Sequence, residues 1–468
     1  MTEVQARPGD QQPGQRPPGP AAGRTSYLGL LRMPGAAGFS VAGMIGRMPM
    51  AMFGLGTVLL ISSVTGSYGL AGAVAAAGSV GYAICAPLAG RLSDALGQDR
   101  VLRPLAALFG VASAAFVASA ELRAPQWALV VAGGLAGASM PSIGSMVRTR
   151  WSNLLRGDPV LMQTAFALES VADELIFVIG PALVTVLATQ LFPAAGVLVS
   201  AALCLAGTLL FAAQRRTQPA AHPRQSRKAS SGAGRAARRA GRAARRAGPQ
   251  ARQAGRAASR GLRARLPAVP SPSLVTLAPM YLFLGAMFAT IDLSTVDFAQ
   301  QHHHKPLAGI LLATYAGGSA IGGLWYGSRS WRVPLERRFT VTLCCTVACV
   351  ASFWALPGLP QLAAVLLVSG LTISPTLMAG YGLVERQATA ARRTEGMAWL
   401  SSTVSIGVAG GSAIAGQLID AGGARWGYLF AAGCGMLAVV VCLLGLPRLR
   451  ATGVADPAEW ADAQFGQA

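Results

Sequence analysis

Long apolar runs alternate with short polar loops along most of the chain. Twelve of these runs approach the ~20 residues that a helix needs to cross a bilayer. The predicted spans cover residues 37–63, 68–90, 101–120, 125–147, 164–189 and 193–213, and then 273–299, 306–327, 339–356, 360–383, 396–418 and 424–446. This pattern predicts an all-α membrane protein with twelve transmembrane helices in two groups of six.

Polar segments precede, separate and follow the two groups of spans. The first segment is rich in Pro, Gly and Gln and lacks a long apolar region, so it predicts a disordered tail rather than a cleaved signal peptide. The predicted organisation is a tail at 1–36, a first six-helix unit at 37–214, a basic linker at 215–272, a second six-helix unit at 273–447 and a tail at 448–468.

Basic residues concentrate on one side of the predicted spans. The chain is 53% hydrophobic and only 12% charged, yet its net charge is +21, because the segment from Arg215 to Pro272 holds 16 Lys and Arg and no acidic residue. Arg and Lys also recur in every second loop, which is the pattern of cytosolic loops. Both termini and the linker are therefore predicted to be cytosolic. The Arg-rich, Lys-poor composition favours the plasma membrane of a bacterium.

The basic linker is interpreted as a solvated spacer that rests on anionic lipid. An arm that binds nucleic acid is the less favoured alternative. The expected partners are therefore the lipid bilayer and a small-molecule substrate, with no nucleic acid, and the chain is expected to be a monomer.

Neither the cysteines nor the histidines predict a metal site. All seven cysteines lie in apolar runs, which is typical of small buried side chains. His302, His303 and His304 are consecutive, and adjacent loop side chains seldom converge on one ion. No Gly-x-x-x-x-Gly-Lys loop and no hydrolytic set of residues is present, so we expect no enzyme, no ATP-driven pump and no cofactor.

Three of the predicted spans carry glycines four residues apart. Such pairs allow two helix backbones to approach closely inside a membrane. The pairs are Gly133/Gly137, Gly318/Gly322 and Gly407/Gly411. Close helix packing is predicted at each of them.

The loop between the second and third spans reads Gly90-Arg-Leu-Ser-Asp94-Ala-Leu-Gly97-Gln-Asp-Arg100. This Gly-x-x-x-Asp-x-x-Gly-x-x-Arg spacing, together with two groups of six spans and a long linker, resembles the major facilitator superfamily of secondary transporters. The resemblance implies two pseudo-symmetric six-helix bundles that face each other across a cavity and work by alternating access. It also implies that Asp94 lies near the start of the eleventh helix, around Glu395, and helps to lock the outward-facing state.

The loop departs from the usual pattern of that family. Ala95, Gln98 and Asp99 stand where basic residues are usual, so the contact made by this loop is predicted to be weaker than in relatives. The corresponding loop of the second half, from Gly323 to Arg332, keeps glycine and arginine but has no aspartate.

The fifth span holds three carboxylates in an otherwise apolar segment, Glu169, Asp173 and Glu174. Each costs about 2.5 to 3.5 kcal/mol if it is ionised and unpaired at the bilayer centre. Glu169 and Asp173 are four residues apart and share a helix face, whereas Glu174 points about 100° away from Asp173. The predicted counter-ion is Arg47, interpreted as the only basic residue well inside a span. This ion pair is either purely structural, or one carboxylate stays with Arg47 while another changes protonation during transport.

Further candidates lie in the outer parts of two spans. Gly180-Pro181 is predicted to break and kink the fifth helix, because proline removes a backbone hydrogen bond. In the family that it resembles, a Gly-Pro at this place is associated with exporters that work as proton antiporters. Asp292 in the seventh span is a candidate cavity residue, and Asp297 is interpreted as an interface residue.

The fourth and tenth spans, which line the cavity in the family, contain no charge within their predicted bounds. Such walls suit an apolar or amphipathic compound. The first hypothesis is therefore proton-coupled export of a small drug-like compound or metabolite, with the proton gradient as the energy source. An importer or sugar-type symporter on the same fold is the second hypothesis, and a membrane-bound sensor or scaffold is the third.

Overall fold

The computed structural model describes residues 27–156, 158–221, 272–304, 307–389 and 392–451. Twelve helical segments in this part are long and apolar enough to cross a membrane, which confirms the predicted number. We number them as spans 1 to 12 in chain order: Ala36–Thr65, Gly69–Leu96, Gln98–Glu121, Gln126–Leu154, Pro159–Gln190, Ala195–Ala213, Leu274–Gln301, Leu307–Gly327, Leu335–Ala355, Leu359–Gln387, Arg393–Gly422 and Ala424–Arg450. The all-α membrane fold is therefore confirmed.

Two of the spans consist of two consecutive α-helices. Span 1 contains Ala36–Arg47 and Pro49–Thr65, and span 4 contains Gln126–Ser139 and Ile143–Leu154. Proline lies at both interruptions and has no N–H to continue the helix, and before Pro141 it also restricts the preceding residue. Met140, which precedes Pro141, accordingly has an extended ψ of 125°. The interruption in span 1 leaves Arg47 as the last residue of a helix.

The predicted break at Gly180-Pro181 is absent, since span 5 is one helix from Pro159 to Gln190. The Gly180 position instead brings two backbones together: a Cβ there would lie 2.8 Å from the Ala51 side chain of span 1. A bend of the helix axis at Pro181 stays a prediction.

Short elements flank the spans. The predicted disordered tail at 1–36 is wrong for its last part, because Tyr27–Leu31 is a helix and Ala36 begins span 1. Leu30 is almost fully buried in an apolar core, which explains why this turn is ordered. Most of the basic linker, including its proposed lipid contact, lies outside the described residues.

The predicted close packing at the glycine pairs is confirmed. A side chain at Gly137 would collide with the Gly78 carbonyl of span 2, and one at Gly322 would collide with the Leu371 carbonyl of span 10. A side chain at Gly407 would collide with the Leu282 carbonyl of span 7. Spans 2 and 4, 8 and 10, and 7 and 11 therefore touch through their backbones.

The two halves are joined at one face of the molecule. We call it the linker face: it carries the ends of spans 6 and 7 that flank the linker, together with the loop between spans 2 and 3. One apolar core crosses between the halves here, with Phe39 and Trp151 from the first half and Met397 from the second. Phe53 and Phe109, farther from this face, belong to a separate core within the first half. The opposite face is called the far face.

The contact implied for Asp94 is present at the linker face. Its two carboxylate oxygens accept hydrogen bonds from the backbone N–H groups of Thr394 and Glu395, at 3.3 and 3.1 Å. These groups are at the N-terminus of span 11, where the helix dipole favours an anion. Gly90 makes the approach possible, because a Cβ there would lie 2.9 Å from the Thr394 carbonyl oxygen. The reduced strength predicted for this contact stays a prediction.

The other residues of the same loop hold the linker face together. Gly97 adopts a φ of +99°, which favours glycine. Gln98 donates to the Met146 carbonyl at 3.2 Å and accepts from Arg150 Nε at 2.9 Å, so it connects the loop to span 4. Arg100 is exposed at the start of span 3.

The second half makes the corresponding contact without a carboxylate. The side chain of Gln163, at the start of span 5, donates to the Tyr326 carbonyl at 2.6 Å. The neighbouring Thr164 donates to the Gly327 carbonyl at 2.7 Å. Both carbonyls are at the end of span 8. Backbone carbonyls therefore accept the hydrogen bonds between the halves here, as the Asp94 carboxylate does at the loop of the first half.

Candidate functional site

Two arginines and two carboxylates form a buried network inside the first half. Arg47 Nη2 lies 2.6 Å from Glu169 Oε2, and Arg47 Nη1 lies 2.8 Å from Asp173 Oδ1. Arg148 Nη2 lies 2.7 Å from Asp173 Oδ2. The predicted pairing of Arg47 with the span 5 carboxylates is therefore present. Two positive and two negative charges make the set neutral.

The interpretation of Arg47 as the only basic residue inside a span is wrong, because Arg148 lies in span 4. The apolar run predicts the end of this span at residue 147, but the second helix of the span continues to Leu154. The expectation of an uncharged tenth span is also wrong, because this helix continues to Gln387 and includes Glu385, which pairs with Arg393 at 3.0 Å. In both cases the charged last turns lie beyond the apolar run.

Neutral donors complete the surroundings of the most buried carboxylate. Glu169 is 1% exposed, and its Oε1 accepts from Trp151 Nε1 at 2.8 Å and from Ser40 Oγ at 3.2 Å. Arg47 additionally donates to the Gly43 carbonyl at 3.1 Å. Glu169 is therefore held by three donors: an indole N–H, a hydroxyl and a guanidinium.

A cavity adjoins the network on the side of the second half. Its volume is about 30 Å³, which is room for only one or two water molecules in this state. The Arg148 guanidinium closes one wall by stacking over the Tyr381 ring of span 10 at 4.2 Å. The remaining walls are mixed apolar and polar, with Met50, Tyr82, Met140, Pro141 and Ser401.

Glu174 points to the second half, away from the arginine-bound carboxylates. Its Oε1 accepts a hydrogen bond of 2.5 Å from Ser319 of span 8. The Ser319 hydroxyl lies 2.9 Å from that of Ser374 in span 10. Glu174 is close to the middle of the 32-residue helix Pro159–Gln190. Among the described residues no basic side chain forms an ion pair with it.

Asp292 approaches the same place from span 7. Its charge acts on Glu174 of span 5 and on Tyr315 of span 8, so it lies on the side of span 7 nearer these two spans. Asp297 lies nearer the far face, where Gln301 donates to its Oδ2 at 2.6 Å. Of the two aspartates of span 7, Asp292 is thus the one whose charge reaches Glu174.

The histidine run forms no cluster with other ligands. His302 Nδ1 lies 2.8 Å from the Phe298 carbonyl oxygen of its own helix. Within the described ranges, no three His, Cys, Asp or Glu side chains could hold a metal ion together.

Sequence reasoning missed several residues of the site. Arg148 and Trp151 lie beyond the apolar run of span 4, and only the helical spacing after Pro141 indicates them. Ser319 and Tyr315 read as ordinary members of an apolar span. The Gly318/Gly322 pair was the one sequence signal for Ser319, because it predicts close helix packing around this residue.

Comparison with known proteins supports this architecture over the whole membrane part. The family model described as Major Facilitator Superfamily matches residues 35–296 and 275–463. No curated protein matches the chain.

Several solved structures share the fold at low sequence identity. The human organic anion transporter TETRAN has a TM-score of 0.60 at 18% identity, covering 89% of this chain and 98% of its own. A bacterial homologue of the iron transporter ferroportin, in an outward-facing state with soaked iron, has a TM-score of 0.62 at 14% identity, covering 88% and 98%. The proton:xylose symporter XylE has a TM-score of 0.57 at 14% identity, covering 86% and 94%. The chain therefore belongs to the major facilitator superfamily, whose members are transporters and not enzymes.

Proposed function

We propose that this transporter exports a small amphipathic compound in exchange for protons, by alternating access of a central cleft. The observation that carries the proposal is the contrast on span 5. Glu169 and Asp173 are bound by arginines, whereas Glu174 is bound by a serine hydroxyl at the boundary between the halves. A carboxyl group without a cationic partner can gain or lose a proton without leaving a buried arginine unpaired.

The distribution of basic residues supports an orientation. The loops of the linker face carry most of the arginines, so we assign this face to the cytosol and the protein to the plasma membrane, with both termini cytosolic. The hydrogen bonds of Asp94 and Thr164 between the halves lie at this face. With this orientation, these contacts close the cytosolic side of the structure.

The position of Glu174 suggests how proton transfer is coupled to movement. Its bond to Ser319 joins span 5 of the first half to span 8 of the second. Ser319 donates more strongly to an ionised carboxylate than to a neutral carboxyl group. Protonation of Glu174 from the outside therefore weakens a contact between the halves, which favours their rearrangement.

Proton movement in everted vesicles tests the proposal. Respiring vesicles that contain the protein are acidified inside, and an exported compound is added from a panel of amphipathic compounds. Antiport makes protons leave as the compound enters, so part of the pH gradient collapses. Glu174→Gln abolishes this response, whereas Asp297→Asn, which changes a carboxylate near the far face, leaves it intact.

The same assay distinguishes the alternative of an importer. A symporter moves the proton and the solute in the same direction, so in everted vesicles solute added outside is not taken up against the gradient. If intact cells accumulate a sugar-like solute while the medium becomes alkaline, the protein is an importer and the export proposal is wrong.

A further inference from the structure

A second cavity lies at the far face of the second half, where spans 7 and 9 end and span 12 begins. Its volume is about 320 Å³, compared with about 30 Å³ for the space beside the buried network. All of its lining residues belong to the second half, so it is separate from the cleft between the halves. Protein interiors are close-packed, and an opening of this size is typical of a small-molecule site.

Three buried aromatic rings form the inner wall of this cavity. They belong to Phe298, Phe353 and Tyr428, which are at most 9% exposed. The centroid of the Tyr428 ring lies 5.5 Å from that of Phe353 and 6.2 Å from that of Phe298. The Tyr428 hydroxyl lies 3.1 Å from that of Thr295, which orients the ring. Packing therefore fixes this wall, and its ring faces and edges suit a flat aromatic group.

The mouth of the cavity carries a positive charge. The Arg425 guanidinium lies over the Trp354 ring, 4.8 Å from its centroid, and both side chains are exposed. A guanidinium that stacks on a ring keeps its N–H groups in its own plane, where they can bind an anion. Within the described ranges, Arg123 and Arg425 are the only Arg or Lys at the far face. The charge pattern of cytosolic loops gives no reason for an arginine here.

The acidic residues at the same end of the second half leave this charge available. Asp297 of span 7 accepts a hydrogen bond of 2.6 Å from Gln301, which also lines the cavity. Asp420 is exposed near the end of span 11. No ion pair joins either aspartate to Arg425 in the part of the chain that the structure describes. The cavity therefore combines an aromatic wall with an arginine that has no acidic partner there.

We propose that this cavity binds a small aromatic carboxylate, with its ring against the buried aromatic wall and its carboxylate at Arg425. A carboxylate matches the site because the planar guanidinium can bind both of its oxygens in parallel. The site lies outside the cleft, so the inference goes beyond the proposed function and does not depend on it. A lipid phosphate carries the same kind of charge, and the experiment distinguishes the two sources.

Equilibrium binding to the purified full-length protein in phosphatidylcholine nanodiscs tests the inference. The probe is radiolabelled naphthoate, and its neutral analogue naphthamide is the competitor. We expect saturable binding of about one naphthoate per protein, which unlabelled naphthoate displaces and an equal concentration of naphthamide does not. Arg425→Gln weakens binding at least tenfold, because the charge-assisted bond is lost, and Arg425→Lys recovers part of the affinity. Arg123→Gln, the same change at the far face of the first half, alters binding less than twofold.

A second variant tests the cavity rather than the charge. Ala355 lines the cavity and is exposed, so a larger side chain there does not disturb the buried rings. Ala355→Trp occupies part of the space while Arg425 is retained, and it is expected to weaken naphthoate binding at least tenfold. Folding of each variant is checked by its elution profile and unfolding temperature.

The outcomes separate the inference from the proposed function. Absence of saturable naphthoate binding, equal displacement by naphthamide, or binding that survives both Arg425→Gln and Ala355→Trp overturns the site. Complete loss of binding when phosphatidylglycerol replaces part of the phosphatidylcholine assigns the cavity to a lipid headgroup instead. In the vesicle assay, Arg425→Gln is expected to keep the proton response, so either proposal can fail alone. Loss of that response in folded Arg425→Gln would make the cavity part of the transport path and overturn its separation from the cleft.

Discussion

The two faces of span 5 treat their carboxylates in opposite ways. On one face, Arg47 and Arg148 hold Glu169 and Asp173 in a neutral, buried set. On the other face, the described partners of Glu174 are hydroxyls of the second half, Ser319 and, next to it, Ser374. The first arrangement resists any change of charge, because each lost partner leaves a buried charge. The second arrangement tolerates a change of charge on Glu174, because no buried arginine then loses its partner. On the proposed function, stability and proton exchange are carried by different acids on one helix.

The largest effect is expected when the arginine-bound face is broken. Arg47→Met leaves Glu169 without its cation and costs about 3 to 5 kcal/mol of stability, since removing one partner of a buried ion pair is strongly destabilising. Thermal unfolding in detergent measures this. Arg103→Met, at an exposed position of span 3, is the control.

A compensating change sharpens this prediction. Adding Glu169→Gln to Arg47→Met removes the orphaned charge, while Asp173 keeps Arg148. The double variant is expected to unfold at a higher temperature than Arg47→Met alone. A double variant less stable than either single variant would contradict the ion-pair account.

A smaller loss is expected at the second arginine. Arg148→Met removes one of the two charge-assisted bonds of Asp173, whose side chain is 23% exposed and keeps its bond to Arg47. The expected cost is about 1.5 to 3 kcal/mol, and Arg148→Lys should recover part of it. If Arg148→Met cost as much stability as Arg47→Met, the burial of the bound carboxylate would not determine how much each arginine contributes. The readout is again thermal unfolding.

The face of span 5 that carries Glu174 is expected to lose less stability on mutation, and the loss is expected to depend on pH. Ser319→Ala removes the donor to Glu174 and costs about 0.5 to 1.5 kcal/mol when the carboxyl group is protonated. The cost rises with pH, because the hydroxyl bond to an ionised carboxylate is stronger. Unfolding of the variant and the wild type at pH 5.5 and pH 8 measures the change. A cost that is the same at both values would show that Glu174 does not change protonation.

The smallest stability effect is expected for Glu174→Gln. The amide oxygen still accepts from Ser319 and no buried cation loses a partner, so the unfolding free energy changes by less than about 1 kcal/mol. A loss of stability as large as that of Arg47→Met would show that Glu174 has an essential charged partner, and the contrast between the two faces would fail.

The sequence predicted the fold well and the site in part. The apolar runs determine where helices cross the bilayer, and the spacing of Glu169, Asp173 and Glu174 determines which helix faces they occupy, so both were accessible from the sequence. Arg148 was missed because hydropathy stops at the last apolar residue, whereas the helix extends to Leu154. Ser319 was missed because its role depends on which helix of the other half lies opposite Glu174. That pairing is a property of the tertiary packing and leaves no local pattern.

Proton movement in vesicles, compared between Glu174→Gln and Asp173→Asn, tests the central claim most directly. An exported compound from the amphipathic panel is added to energised everted vesicles, and the collapse of the pH gradient is recorded at equal amounts of folded protein. The account predicts that Glu174→Gln abolishes the response and that Asp173→Asn retains it in the protein that folds. A response that survives Glu174→Gln and disappears in well-folded Asp173→Asn would contradict the account and assign proton exchange to the arginine-bound acids.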